Sequence, residues 1–318
     1  MNRAFLAAAL CLAAAAPAVA QTFPVKPVRV VVPFAPGGAT DIIARLVTTK
    51  MTEVWKQSVI VESRPGAGTV VGTEAVARAA PDGYTLGFVV TAHVINPSLR
   101  EKMPYDTLKD LAHVTQVSQQ HIVLAAHPGF PANNVAELVA LGKKSGQPLQ
   151  YATSGAGTAL HLGMELLGVR GGIKLEHIPY KGGAPAQLDA VAGRVPLVME
   201  IHYAAQAHLK DRKLKPIALF SAQRPAYAKD IPTVAETLPG VVAVSIVGIV
   251  APAATPRDLV RKISADIGNA VRNTDLKDKM EAQGMEPVGS TPEQFEALVK
   301  TEIAKWGPIV KASGAKAD

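Results

Sequence analysis

The sequence predicts an α/β protein of two lobes, each a parallel sheet covered by helices, with crossover strands between them. Three observations carry that expectation. Short β-branched runs alternate with stretches of helical spacing. The same alternation begins again part-way along the chain. Two longer apolar strand-like stretches, 114–126 and 241–250, lie where the chain would pass between the halves.

Taken in order, 28–32 is a β-branched run bounded by prolines, and a glycine-rich turn follows it. Ile42, Ile43, Leu46, Val47 and Met51 then keep helical spacing. Residues 58–62 read as a strand, 70–79 as a helix and 84–90 as a strand, which completes a βαβαβ unit. The second set has strands at 122–126, 149–152, 175–178, 195–200 and 215–220, and helices at 135–144, 158–167 and 184–192. The C-terminal part is mostly helical. Thr255 stands where it can cap one helix with Pro256 at its first position. Thr291 and Gln294 have the spacing of a capping box for the last. If both crossovers join the lobes, the C-terminal helices fold back on the first. The expected division is therefore 21–120 plus 247–318 in lobe 1 and 121–246 in lobe 2.

The N-terminus reads as a secretory signal over residues 1–20. Arg3 precedes an apolar stretch at 4–16, Pro17 breaks it, and Ala18-Val19-Ala20 suits cleavage before Gln21. Cys11 is the single cysteine, and Leu10 stands before it where a lipoprotein site needs a small residue. The mature chain then has no cysteine, so its fold rests on an ordinary core and not on disulfides. No later segment is long and apolar enough to cross a membrane. The formal charge is +7, but Lys and Arg are scattered, without a dense basic cluster or an aromatic-basic stripe. That pattern attracts small anions and does not call for nucleic acid.

Two turns are candidates for binding. Pro36-Gly37-Gly38-Ala39-Thr40-Asp41 joins a strand to a helix. Glycines there allow unusual backbone angles and close approach by a ligand, and a helix N-terminus offers free N–H groups to an anion. Thr40 or Asp41 can cap that helix. Ser154-Gly155-Ala156-Gly157-Thr158 repeats the design in the second half. In α/β sheets ligands sit beyond the carboxyl ends of the strands, so the two turns would face one cleft from opposite sides. A ligand with two carboxylates, or one carboxylate and another polar end, would bridge them.

Reactive constellations are lacking. Ser154 is not in a G-x-S-x-G elbow, and the histidines show no metal spacing. Gly66-Ala67-Gly68 followed by Gly72 misses the dinucleotide fingerprint by one residue. No catalytic residue, metal or cofactor is expected, and Lys181 reads as an exposed loop lysine.

Several segments together resemble a known family. These are 25–41, Arg64-Pro65-Gly66-Ala67-Gly68, Ala80-Pro81-Asp82-Gly83-Tyr84, Asn96-Pro97-Ser98-Leu99, 154–158 with His161, His177-Ile178-Pro179-Tyr180-Lys181-Gly182-Gly183 and Ile231-Pro232-Thr233. They are similar to Bug-type receptors, the periplasmic substrate-binding proteins of tripartite tricarboxylate transporters. The resemblance spans essentially the whole mature chain. It implies a Venus-flytrap, type II-like fold with two crossover strands, and a monomeric periplasmic receptor that closes on a small carboxylate. It further implies delivery to two integral-membrane transporter subunits. A sensing receptor for a membrane signalling protein is the alternative, and a periplasmic enzyme acting on a carboxylate a more distant one. The expected ligand-binding residues are Phe34, Ala35, Pro36, Gly37, Gly38, Thr40, Asp41, Ser154, Gly155, Gly157, Thr158 and His161, carried over by the resemblance, together with Thr91 and Glu200 as side chains expected at the cleft. Two departures bear on which carboxylate is taken: Glu200 stands where an aspartate is common, and Ser245-Ile246-Val247-Gly248 lacks the usual aromatic residues.

Overall fold

The computed structural model of the chain describes residues 23–313. The expected signal sequence, its cleavage point and Cys11 lie outside the described residues.

The first sheet is built around β1 (Val28–Val32), which runs parallel to β2 (Val59–Ser63) on one side and β3 (Thr85–Val90) on the other. All of β1 but Arg29 is buried, as expected for a strand covered on both faces. Helix α1 (Ala39–Trp55) turns Ile43, Val47 and Met51 inward, and α2 (Val70–Ala77) also packs on this sheet. A helix absent from the sequence reading follows β3 at once: α3 (Ala92–Leu99). Pro97 inside it reads as a breaker, and near-complete burial removes the polar face that would give it a helical period.

The sixteen-residue strand β4 (Leu111–Ala126) carries the chain onward. Its first part pairs antiparallel with β9 (Val244–Pro252), with register shifts at His113/Thr115 and Gln116/Ser118. Residues 122–126 pair instead with β7 (Leu197–Ile201) and β8 (Lys215–Leu219). One strand thus belongs to both sheets, and the expected strand at 122–126 is its far end. In the second sheet β5 (Leu149–Thr153) lies parallel between β6 (Leu175–Pro179) and β7. Helices α4 (Val135–Ser145), α5 (Ala159–Gly171), α6 (Gly183–Val191) and α7 (His202–Lys210) intervene along the chain, with a short α8 (Val234–Thr237) after them. The sequence reading did not foresee α7. Ala243 N–H still bonds to Phe220 in the second half, and from Val244 the chain joins β3 and β4 as β9.

The C-terminal elements are α9 (Arg257–Asn273), α10 (Asp275–Ala282), β10 (Met285–Pro287) and α11 (Pro292–Ser313). They return to the first sheet: α9 packs on α1 and β4, and α11 on α3 and β4. Trp55 Nε1 donates to Asp266 at 2.7 Å, tying α1 to α9. Gly248 on β9 lets the Phe295 ring of α11 close on the sheet, since a Cβ there would overlap the ring. The capping box at Thr291 forms, with Gln294 N–H donating to Thr291 Oγ1 at 3.2 Å and Thr291 N–H to Gln294 Oε1 at 2.9 Å. At α9 the expectation fails. Pro256, with ψ 133°, is itself the N-cap, and Thr255 Oγ1 is buried without a partner among the described residues.

Candidate functional site

The C-terminal ends of β1, β3, β5 and β7 surround a small inner cavity of about 20 Å³, room for about one water. Five helices begin at its wall: α1 with Gly38, Ala39 and Thr40, α3 with Thr91, α5 with Thr158, Ala159 and Leu160, α6 with Gly183 and α7 at Ile201. Only α5 has a side-chain cap, from Thr158; the other four have none. Free N–H groups and positive dipole ends therefore converge on one point, which suits an anion.

Each glycine turn is held by the side chain three residues after its helix cap. Asp41 Oδ2 accepts the Gly37 N–H at 2.9 Å and Arg45 Nε at 2.8 Å. His161 Nδ1 accepts the Gly157 N–H at 3.2 Å, so in the neutral ring the proton sits on Nε2. The His161 ring stacks on His177 at 4.0 Å, and His177 Nε2 lies 2.7 Å from Thr153 Oγ1. Burial, with His161 as a lesser cause, pushes His177 down to about 3. Thr153 Oγ1 also accepts the Gly155 N–H at 3.0 Å. This part-buried threonine–histidine pair shapes the turn. Gly37 (φ +85°) and Gly157 (φ +75°) occupy the left-handed region that favours glycine.

Of the residues expected to bind, Phe34, Gly38, Thr40, Thr91, Ser154, Thr158 and Glu200 line the inner cavity. Ala35, Pro36, Gly37, Asp41, Gly155, Gly157 and His161 belong to the turns but do not line it. Thr91 Oγ1 is engaged by the β9 backbone, accepting from Ile246 N–H at 2.9 Å. Thr158 Oγ1 is engaged by its own turn. Thr40, Ser154 and Ser245 keep hydroxyls with no partner among the described residues. Sequence reasoning missed Gln120, Gly183 and Ser245 as lining residues. For Gly183 a signal was present in Gly182-Gly183, a third glycine pair ahead of a helix.

Among the described residues, Glu200 is the only charged side chain lining the cavity. It is 1% exposed, and its carboxylate accepts from Ile201 N–H at 2.7 Å and Gln187 Nε2 at 3.0 Å. Burial pushes it up to about 7, against the lowering effect of those two bonds. Gly183 leaves room for it: a Cβ there would stand 2.7 Å from Glu200 Cδ and closer still to Oε2.

The two halves touch around the cavity. Ala35 N–H donates to Lys181 O at 2.8 Å, and Tyr203 Oη donates to Ala39 O at 2.7 Å while accepting from Gln120 Nε2 at 3.0 Å. Gly38 meets Gly183, where an added Cβ would come within 3.2 Å of the Gly183 nitrogen. Gly68 meets Ala156, and Gly157 meets Asn96 and Leu99. The first turn therefore closes on the Gly182-Gly183 turn, and the second on the 68–99 region.

The fold defines a two-lobed solute-binding protein of the periplasmic type. The chain belongs to the tripartite tricarboxylate transporter family receptors, whose family model matches residues 43–315. It is similar to Protein BugT of Bordetella pertussis, 33% identical over 305 residues that cover 95% of this chain and 94% of that one. Among solved structures it is similar to the periplasmic binding protein BugD, at 31% identity and a TM-score of 0.88, covering 93% of this chain and 100% of the other. It is likewise similar to R. palustris Rpa4515 with adipate, at 30% identity and a TM-score of 0.88, covering 92% and 99%.

Proposed function

We propose that this chain is an exported periplasmic receptor, without catalytic activity of its own, that closes as a monomer on one small carboxylate. In this reading it delivers the ligand to two integral-membrane transporter subunits. Residues 1–20 are its signal peptide, cleaved near Ala20; residues 21–120 with 247–318 form one lobe and 121–246 the other. The pairing of β4 and β9 supports that division, because β4 changes partners at residue 122.

The observation that carries the reading is the meeting of five helix N-termini on one cavity that has spare hydroxyls. A carboxylate satisfies the uncapped N–H groups of α1 and the hydroxyls of Thr40, Ser154 and Ser245. The cavity has room for about one water, so entry needs the lobes apart. Ligand binding then favours closure through contacts made to both lobes at once. The family relative seen with adipate adds weight to a carboxylate.

The test is mass spectrometry of whatever is released from the purified mature protein, followed by calorimetry with mono- and dicarboxylates. One carboxylate per chain is expected. Release of a ligand without a carboxyl group, or no heat with any acid, would overturn the reading.

A further inference from the structure

The cavity proposed for the ligand also holds an acid. Glu200, its one charged lining side chain among the described residues, is met by two neutral donors, Ile201 N–H and Gln187 Nε2, and by no cation. Gln187 Oε1, at the other corner of the same amide, is buried with no partner among the described residues. Turned over, that amide would offer Oε1 to Glu200 Oε2, a contact that needs a proton on the acid.

The elements packed around Glu200 bring it no compensating charge. Gln120 of β4, Thr40 of α1, Thr91 before α3, Thr158 before α5 and Ser245 of β9 face the cavity and are neutral. Titratable side chains on those elements turn elsewhere: Asp41 to Gly37 N–H and Arg45, His93 to His113, His121 to Tyr227, His161 to Gly157 N–H and Glu165 to Tyr151. Asp189 of α6 faces Tyr180 and Arg194, and His202 of α7 lies against the Tyr227 ring. Tyr203 of α7 does sense Glu200. Burial first, and the carboxylate second, push its phenol well up, so it stays neutral.

A bound carboxylate would share this small, water-poor space with the acid. Two ionised carboxylates that close, with neither a cation nor solvent between them, repel strongly, and one of such a pair is held protonated. Burial alone already pushes Glu200 up to about 7, and the charge of a ligand acts in the same direction. With the lobes apart the carboxyl meets water and returns towards its ordinary value near 4.5.

We propose that ligand capture is coupled to a proton: Glu200 is ionised in the open receptor, takes one proton from solvent as the lobes close on the carboxylate, and releases it when they open. This rests on the carboxylate-receptor reading. The receptor then binds acid and proton together. Affinity falls by up to about tenfold for each pH unit above the range in which the closed form keeps the proton.

The experiment is calorimetry of the mature wild type and Glu200→Gln with acetate, propionate, malate and adipate at about pH 6.5, where these acids are almost fully ionised. Each titration is run in PIPES and in imidazole, whose different ionisation enthalpies turn proton uptake into a difference in heat. The wild type should take up at least about half a proton per acid bound, and its affinity should fall roughly tenfold from pH 7 to 8. Glu200→Gln should show neither the uptake nor the slope. Should that variant not fold, the infrared band of a neutral buried carboxyl decides in its place: it should be present in the liganded wild type at about pH 6.5 and lost by about pH 9. Equal heats in the two buffers for the wild type, an uptake that survives Glu200→Gln, or absence of the infrared band overturns the inference alone. Absence of binding by every acid overturns the receptor reading and this inference with it.

Discussion

Replacing Glu200 with Gln keeps the shape of the side chain and removes its charge. In the folded chain this carboxyl titrates near 7, against an ordinary value near 4.5, because burial disfavours the ion more than its two hydrogen bonds favour it. The folded state therefore holds the proton more tightly than the unfolded state. The stability tied to the neutral carboxyl is fully present below pH 4.5 and is lost as pH rises through 7. The whole shift is worth on the order of 3 kcal/mol, most of it lost between pH 5 and 8. The variant has no such loss. Its stability relative to the wild type should accordingly rise by roughly 2 to 3 kcal/mol from pH 5 to pH 8. The assay is urea unfolding of both proteins across that range, read as the difference at each pH. Taking the difference matters because buried histidines act the other way. His113 and His177 are pushed down to about 4 and about 3 by burial, so their effect is to raise stability as pH climbs towards 6.5. They act in both proteins and cancel. A difference that stays constant within about 0.5 kcal/mol would refute the argument that Glu200 is buried without a compensating cation.

Two further substitutions probe the contacts around the same carboxyl and across the seam. Gly183→Ala should cost about 1–3 kcal/mol through overpacking against Glu200, and the double change with Glu200→Ala should cost less than the sum of the two singles. Thermal or urea melts giving strictly additive costs would show that the two groups do not press on each other. Tyr203→Phe removes the bond to Ala39 O and leaves that carbonyl and Gln120 Nε2 short of a partner. The closed form should lose about 1–3 kcal/mol and the ligand should bind correspondingly weaker by calorimetry. Affinity within twofold of wild type would place this bond outside the closing step.

Much of the fold was legible because the signals are local. The β-branched run at β1 and the apolar stripe of α1 each lie within one stretch of chain and follow the period of their own element. Prediction failed where burial hides the period or a residue suggests the wrong break. Helix α3 is buried almost throughout and contains Pro97, and Pro256 took the cap position expected of Thr255. That two glycine turns lead into helices was legible from glycine placement and spacing. That Asp41 and His161 hold those turns instead of lining the cavity was not, since both are short polar-to-backbone contacts whose direction depends on side-chain rotamers.

By itself, the sequence determined the two-lobed α/β class, the family and the carboxylate-suited turns, all of which follow from spacing, glycine placement and motif. Only the tertiary structure decided what each turn meets. Gly38 closes on Gly183, roughly 145 residues further along. Glu200 is made neutral-leaning by burial against that same glycine, and Lys181 is brought beside Ser154 at the mouth. Charge, burial and proximity at the cleft come from chain segments that meet only on folding, and a one-dimensional pattern does not record which segments those are.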